Sequence, residues 1–379
     1  MSSEPSFRGP ARARLEVDLD ALAANWHLLA RTARRAETAA VVKADAYGLG
    51  MAPVASRLWR EGCRTFFVAV PDEGVALRRL LPQARILVLS GVGRGEEEAF
   101  LDHALVPVLN DPGELGLWRR LARRLERVLP AALHVDTGMN RLGFRPSDFA
   151  ALDHEDLAGL ALRLVISHLA CADEPDHPLN ARQLQAFRRL AARFPAVPRS
   201  LAASAGILLG PDFHFELVRP GLALYGASPL SSGARPVLRP VVRLVAPVLQ
   251  LRTIDEPGTV GYGATHAVEP GARIAIVALG YADGFPRQAG GGRASVRVAG
   301  VSCPVVGRVS MDTLAVDVSA LPGDAVRPGS EVEVLAGPGA VEALADAAGT
   351  AAYEILTRLG SRFARRYLGA GEQVEDGAP

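Results

Sequence analysis

The stretches 39–44, 65–70, 85–90, 105–109, 131–136, 162–168, 200–204 and 215–219 are short, nearly unbroken apolar runs, each followed by a helix-compatible segment. Strands buried on both faces read as continuous apolar runs, and these are the parallel strands whose faces helices cover. Eight of them at intervals of roughly 20–30 residues specify a closed parallel barrel with helices outside. A doubly wound open sheet shares the alternation, but the count of eight and the lack of a GxGxxG after the first strand favour the barrel. Ahead of the first run, a short strand around Leu15–Val17 leads to Asp18, which sits where a helix N-cap belongs. Leu19, Leu22, Ala23, Trp26, Leu29 and Ala30 then form one apolar helical stripe.

The texture changes near residue 230. Residues 231–236 read as a turn or linker, and residues 1–13 as a loose polar segment. Beyond the linker, short alternating strands are punctuated by Pro-Gly and Gly pairs at 256–258, 269–271, 290–292 and 321–323, the pattern of antiparallel β structure. A helical stretch is expected over about 341–367. The expected organisation is an eight-stranded parallel α/β barrel over 14–230, then a mostly antiparallel β domain over 236–379 with a terminal helix.

Lys43 is the only lysine among 42 basic side chains. Water accepts either cation, so a chain that uses arginine everywhere else and retains one lysine points to a need for a primary amine. Lysine loses its proton when buried and forms Schiff bases with carbonyls, whereas arginine does neither. Chance in an arginine-biased composition is the plainer reading, and the neighbours weigh against it. Val41, Val42 and Ala44 flank the amine at a strand end, where barrel chemistry gathers and desolvation lowers an amine's pKa. Ser204 and Gly206 follow the seventh run, and Arg219, Gly221 and a candidate helix start follow the eighth, which is where a phosphate would bind. A lysine and a phosphate seat on one face point to pyridoxal phosphate.

The formal net charge of +1 leaves no footprint for nucleic acid or an anionic membrane. Cys63, Cys171 and Cys303 are odd in number and widely spaced, giving neither a disulfide framework nor a metal site. No apolar segment approaches the roughly 20 residues that span a bilayer, and the N-terminus lacks a signal-like apolar run. A soluble cytoplasmic protein without a structural metal is expected.

VVKADAYGLG (41–50), DTGMNRLG (136–143), SHLACAD (167–173), RPGLALYG (219–226), VGYGATH (260–266), GYADGFPR (280–287) and GRVSMD (307–312) occur in order, and together they resemble the alanine racemases. The resemblance covers about residues 12–368. It implies a pyridoxal-phosphate barrel joined to a C-terminal β domain, interconversion of L- and D-alanine, and a homodimer with shared active sites supplying D-alanine for cell-wall synthesis. Lys43 would hold the cofactor as a Schiff base and serve as one base. Tyr262 would be the other, reaching the partner subunit's site. A free phenol titrates near ~10, so Tyr262 would need a cationic environment. His168 and Arg219 would link the tyrosine to the cofactor ring, with Arg219 facing the pyridine nitrogen. Arg141 would meet the substrate carboxylate and the cofactor's phenolic oxygen. The Met311 main chain would meet the carboxylate, and Tyr281 would line the entrance. Tyr47, Ser204, Gly221 and Leu222 would hold the phosphate.

Three positions depart from the family. His134 stands where many members carry a carbamylated lysine that buttresses the arginine, so the support of Arg141 is expected to pass to His134 or to a bound anion. Ala203 replaces an asparagine before the phosphate serine, and Leu49 replaces a histidine. The competing readings are a racemase or decarboxylase of the same architecture acting on other amino acids, a non-catalytic pyridoxal-phosphate carrier barrel, and a cofactor-free Schiff-base aldolase. Tyr262 in its motif argues against a decarboxylase, and the long C-terminal region argues against a carrier.

Overall fold

The computed structural model describes residues 13–231 and 237–369. The loose segment expected over residues 1–13 and the linker over 231–236 lie, apart from Ala13 and Ser231, outside the described residues. The chain divides into two compact units, one from Leu22 to Leu238 and one joining the residues up to Ala21 with those from Arg239 onward.

In the first unit, Ala40–Val41, Thr65–Val68, Arg85–Val88, Val106–Leu109, Leu129–His134, Leu160–Ile166 and Arg199–Ser200 form a parallel sheet in chain order. The eighth strand, Leu217–Val218, pairs in parallel with Glu37–Thr38, just ahead of the first strand. Ala39 N–H donates to Val218 O at 3.0 Å and Val41 N–H to Pro220 O at 2.9 Å. On its other side, Arg219 N–H donates to Ala202 O at 2.9 Å beside a parallel bridge between Ala203 and Arg219. These bonds close the barrel with all eight expected strands. Phe66, Phe67, Val68, Ile86, Val88 and Val108 are buried, which is why the sequence shows continuous runs rather than alternation.

The strand-to-helix turns are set by local chemistry. Pro71, Pro112, Pro146 and Pro178 each open a helix, where a missing N–H costs nothing and the fixed φ already suits the helix. Asp111 caps Pro112–Leu125 by accepting from Gly113 and Glu114 N–H at 2.6 and 2.9 Å. Asp18 does the same for Leu19–Thr32, accepting from Ala21 N–H at 2.8 Å.

The second unit is built on the long strand Val242–Thr253. It pairs antiparallel with Arg14–Asp18, Arg273–Val277 and Glu331–Leu335. The strand read around Leu15 therefore joins the sheet of the C-terminal region. The terminal helix expected over 341–367 is instead two short helices, Ala340–Ala348 and Ala352–Thr357, and a strand, Ala364–Leu368. Gly349, at φ 68°, ends the first helix in the left-handed region that glycine adopts freely. The strand then runs parallel to Arg14–Asp18 at the sheet edge, and that pairing overrides the local helical pattern.

Tyr225 is buried, stacks beside Tyr47 with ring centroids 4.8 Å apart, and donates its hydroxyl to Val41 O at 2.8 Å. It thereby fastens the last barrel turn to the first strand. Tyr225→Phe is expected to lower unfolding free energy by about 1–2 kcal/mol, read as a drop in urea midpoint with unchanged slope. An unmoved midpoint would show that this bond contributes nothing.

Candidate active site

Lys43 follows the first barrel strand directly, and the chain after it is unusual. Ala44, Asp45, Ala46 and Tyr47 all have φ between 52° and 58°. Each non-glycine residue in that left-handed region costs roughly 1–2 kcal/mol. The turn is held by Glu73, whose carboxylate accepts Ala44 N–H at 2.6 Å and Ala69 N–H at 2.7 Å. Asp45 accepts Met51 N–H at 2.6 Å, and Ala46 N–H bonds Val42 O at 2.9 Å. The outcome buries Tyr47 and leaves Lys43 half-buried at the barrel mouth. Burial lowers the Lys43 pKa, the Arg141 cation lowers it further, and Glu73 opposes both.

Tyr47 reaches the phosphate seat expected after the last strands. A Cβ on Gly221 would come within 2.4 Å of the Tyr47 hydroxyl, so glycine is required there. Ser204 Oγ accepts from Gly221 N–H at 2.9 Å and from Ala223 N–H at 3.2 Å, and Leu222, buried, lies between those two amides. Tyr47, Ser204, Gly221 and Leu222 thus form one cluster of hydroxyls and backbone amides, a donor set suited to a phosphate monoester.

Arg219 is buried. Its guanidinium donates to Ser200 Oγ at 2.5 Å, Ser167 O at 2.6 Å and Leu201 O at 3.5 Å. All three acceptors are neutral, and among the described residues no carboxylate pairs with it. Burial pulls its pKa down to about 10, so it remains a cation at neutral pH. A buried cation without an anion is costly, so the site suits a ligand bearing negative charge and acceptor atoms.

Arg141 stands on a loop wound around Asp136, whose carboxylate accepts the N–H groups of Gly138, Met139 and Asn140 at 2.9, 2.8 and 2.9 Å. Gly143 lets that loop pass close to the strand, since a Cβ there would meet Asp136 N at 2.8 Å. His168 and His134 complete the cluster. Burial and then the Arg219 and Arg141 charges press the His168 imidazole down to about 3. Burial, then Arg219, lowers His134 to about 4. Both are neutral at physiological pH.

His134 heads a chain of contacts that the motifs do not show. Its Nδ1 lies 2.9 Å from Asn110 Oδ1. The Asn110 amide nitrogen donates to Val108 O at 2.8 Å, which fixes its oxygen toward the imidazole. His134 therefore carries its proton on Nδ1 and offers Nε2 as an acceptor. Glu114 accepts Asn110 N–H at 2.7 Å behind it, and burial raises its carboxyl to about 7. Asn110 is the residue immediately after the fourth apolar run. That strand-end position was its one available signal, while Glu73 and Glu114 gave none beyond ordinary helix-start acids.

The other candidate residues belong to the second unit. Tyr262 is 68% exposed, Met311 53% and Tyr281 40%. The segment 307–312 gathers all three. Gly307 passes so close to Val260 that a Cβ would meet its carbonyl at 2.7 Å, beside Tyr262. Gly280 would likewise place a Cβ 2.1 Å from Met311 O, which accepts Ala282 N–H at 3.0 Å next to Tyr281. Among the described residues no cluster suits a metal ion, and no helix is long and apolar enough to cross a membrane.

Comparison with known proteins agrees with this architecture. The family model for the alanine racemase N-terminal domain matches residues 17–229, and that for the alanine racemase C-terminal domain matches residues 241–367. An alanine racemase from Rhodospirillum rubrum is 53% identical over 366 residues, covering 96% of this chain and 97% of the relative. The crystal structure of alanine racemase from Bartonella henselae with covalently bound pyridoxal phosphate superposes with a TM-score of 0.90 at 37% identity, covering 95% of this chain and 100% of that one. The biosynthetic alanine racemase from Pseudomonas aeruginosa gives a TM-score of 0.85 at 38% identity, over 94% of this chain and 99% of that one.

The neutral imidazoles fix a pH dependence. A folded-state pKa below the ordinary 6.5 means that the unfolded chain binds more protons, so each histidine's stabilisation is full above pH 6.5. It is lost as pH falls toward about 4 for His134 and about 3 for His168. Glu114, raised to about 7, acts with the opposite sign between pH 4.5 and 7. The diagnostic is therefore a difference between chains. His134→Gln is expected to flatten the pH slope of unfolding free energy between pH 6 and 4.5 by about 1 kcal/mol per pH unit relative to wild type. Equal slopes in urea titrations would show that His134 takes up its proton in the fold as it does in the unfolded chain.

Proposed function

Because the chain belongs to the alanine racemase family, we propose that it interconverts L-alanine and D-alanine with Lys43 and Tyr262 as its two acid/base groups. It is a pyridoxal-phosphate-dependent isomerase. The observation that carries the assignment of roles is the convergence of a half-buried amine of lowered pKa with a phosphate-shaped donor cluster on one barrel face.

Pyridoxal phosphate, joined through its aldehyde to a lysine amine, supplies an electron sink for the charge left when a Cα proton departs. The residues present fit it. Tyr47, Ser204, Gly221 and Leu222 would hold its phosphate, and the unpaired Arg219 would face its ring nitrogen. A guanidinium can donate but does not surrender its proton, so Arg219 in that position would leave the nitrogen unprotonated and moderate the sink. Arg141 would orient the substrate carboxylate, supported by neutral His134 through its Nε2 lone pair. His168, beside Arg219, would carry that polarity toward the tyrosine.

Racemisation needs one group on each face of a planar carbon. Lys43 Nζ, made easier to deprotonate by burial and by Arg141, takes or returns the proton on one face. Tyr262 Oη would do so on the other. Its exposure, together with that of Met311 and Tyr281, fits a surface completed by a second copy of the chain. We therefore propose a homodimer in which Tyr262 of the partner subunit serves each Lys43, with the Met311 main chain meeting the carboxylate and Tyr281 at the entrance. A cytoplasmic supply of D-alanine for the cell wall is the role this activity serves. The match to the C-terminal domain sets aside a carrier barrel.

Tyr262→Phe is expected to lower L-alanine turnover by about 10²–10⁴-fold, followed as loss of circular dichroism, while a panel of other L-amino acids reports substrate breadth. Near-wild-type rates in both directions would remove Tyr262 as a base. Mixing Lys43→Ala with Tyr262→Phe chains should recover activity, because one intact composite site forms per mixed dimer. No recovery despite demonstrated subunit exchange would rule out site sharing.

A further inference from the structure

A cleft of about 800 Å³ opens at the N-terminal ends of the barrel strands, on the face opposite Lys43. Arg31 enters it from the last turn of the helix Leu19–Thr32, and Arg34 and Arg35 from the turn between that helix and the strand Glu37–Thr38, with Arg188 and Arg199 across from them. Five guanidinium groups meet only two carboxylates there, on a chain whose whole formal charge is +1.

Both carboxylates are already engaged. Asp212 pairs with Arg188 at 3.0 Å, and Glu216 takes Arg199 in a forked pair at 2.6 and 2.9 Å. That leaves Arg31, Arg34 and Arg35 without an ion pair or hydrogen bond among the described residues. The wall behind them is fixed. Phe215 holds φ at 53°, a rare conformation for a bulky residue. Its ring packs edge-on against Phe187 at 5.0 Å and lies 5.3 Å from the Arg199 guanidinium carbon. Strain of this kind persists only where the surroundings over-determine it, and it concentrates at binding and switch sites.

The N-terminal face of such a barrel ordinarily serves stability, and three adjacent unpaired cations oppose stability through mutual repulsion. An anion would relieve it. Planar guanidinium forks match phosphate oxygens two at a time. The cleft falls in the size range of small-molecule sites and would be mostly empty around a single phosphate.

We propose that this cleft binds a small anion carrying two or more phosphate groups, of the class of nucleoside polyphosphates, through Arg31, Arg34 and Arg35. The site is separate from the cofactor's phosphate seat and independent of the catalytic assignment.

The test is isothermal titration of the cofactor-loaded enzyme, whose own phosphate seat is filled, with inorganic phosphate, tripolyphosphate and ATP. One saturable site per chain is expected for tripolyphosphate and ATP, with phosphate at least about tenfold weaker. The triple variant Arg31→Gln, Arg34→Gln, Arg35→Gln should weaken both by at least about tenfold, with unchanged racemisation and a melting temperature no lower than that of wild type, because the repulsion among the three cations is removed. Arg34→Gln alone should weaken them severalfold, which keeps the test decisive if the triple variant folds poorly. Absence of saturable heat in wild type, or affinity unmoved in the variants, overturns the proposal. Binding of tripolyphosphate but not ATP would confine the ligand to inorganic or non-nucleoside polyphosphates.

Discussion

The hydrogen bond from Val41 N–H to Pro220 O closes the barrel, and the site depends on it. Lys43 and the Arg219–Gly221 segment are far apart in the chain and become neighbours only because the eighth strand returns to the first. The closing strands are short, two residues each in Ala40–Val41 and Leu217–Val218. Their register is therefore reinforced from outside the ladder, by Tyr225 donating to Val41 O and by the contact of Tyr47 with Gly221. A slip of one residue would turn every side chain to the opposite face, carrying the lysine away from the phosphate cluster.

Closure also concentrates cations. Arg141 lies close enough to lower the pKa of Lys43, and Arg219 and Arg141 together lower those of both imidazoles. The protein manages this by keeping the histidines neutral and by giving Arg219 only uncharged acceptors. The mouth of the barrel is thus left with positive charge for a phosphate and a carboxylate to complete. Among the described residues Glu73 is the acid that bears on Lys43, and its carboxylate is occupied by two backbone N–H groups.

The barrel was legible because parallel strands are apolar on both faces, so eight runs gave eight strands. Lys43 stood out through scarcity, and Ser204, Arg219 and Gly221 through their places at strand ends. Tyr262, Tyr281 and Met311 were visible only through resemblance, since nothing local distinguishes an exposed tyrosine that meets a partner from one that meets water. The closing segment misled for a different reason. Residues 364–368 carry arginines that suit a helix surface, and their strand state is set by residues 14–18 at the opposite end of the chain. The Asn110 contact to His134 and the Glu73 bracing of the left-handed turn were hidden likewise, because each is made between elements that no sequence window contains together.

With one lysine in the chain, the half-buried amine at the barrel mouth also makes this protein its own reporter. Reagents that modify ε-amines elsewhere label dozens of surface positions and blur any signal. Here every modified ε-amine is at the mouth of the barrel, so the extent and pH profile of labelling follow a single nitrogen. An arginine-only exterior is also indifferent to acetylation or crosslinking through lysine, so amine labelling of the chain freed of its cofactor reads one ε-nitrogen, and its suppression on reloading reads occupancy of the site.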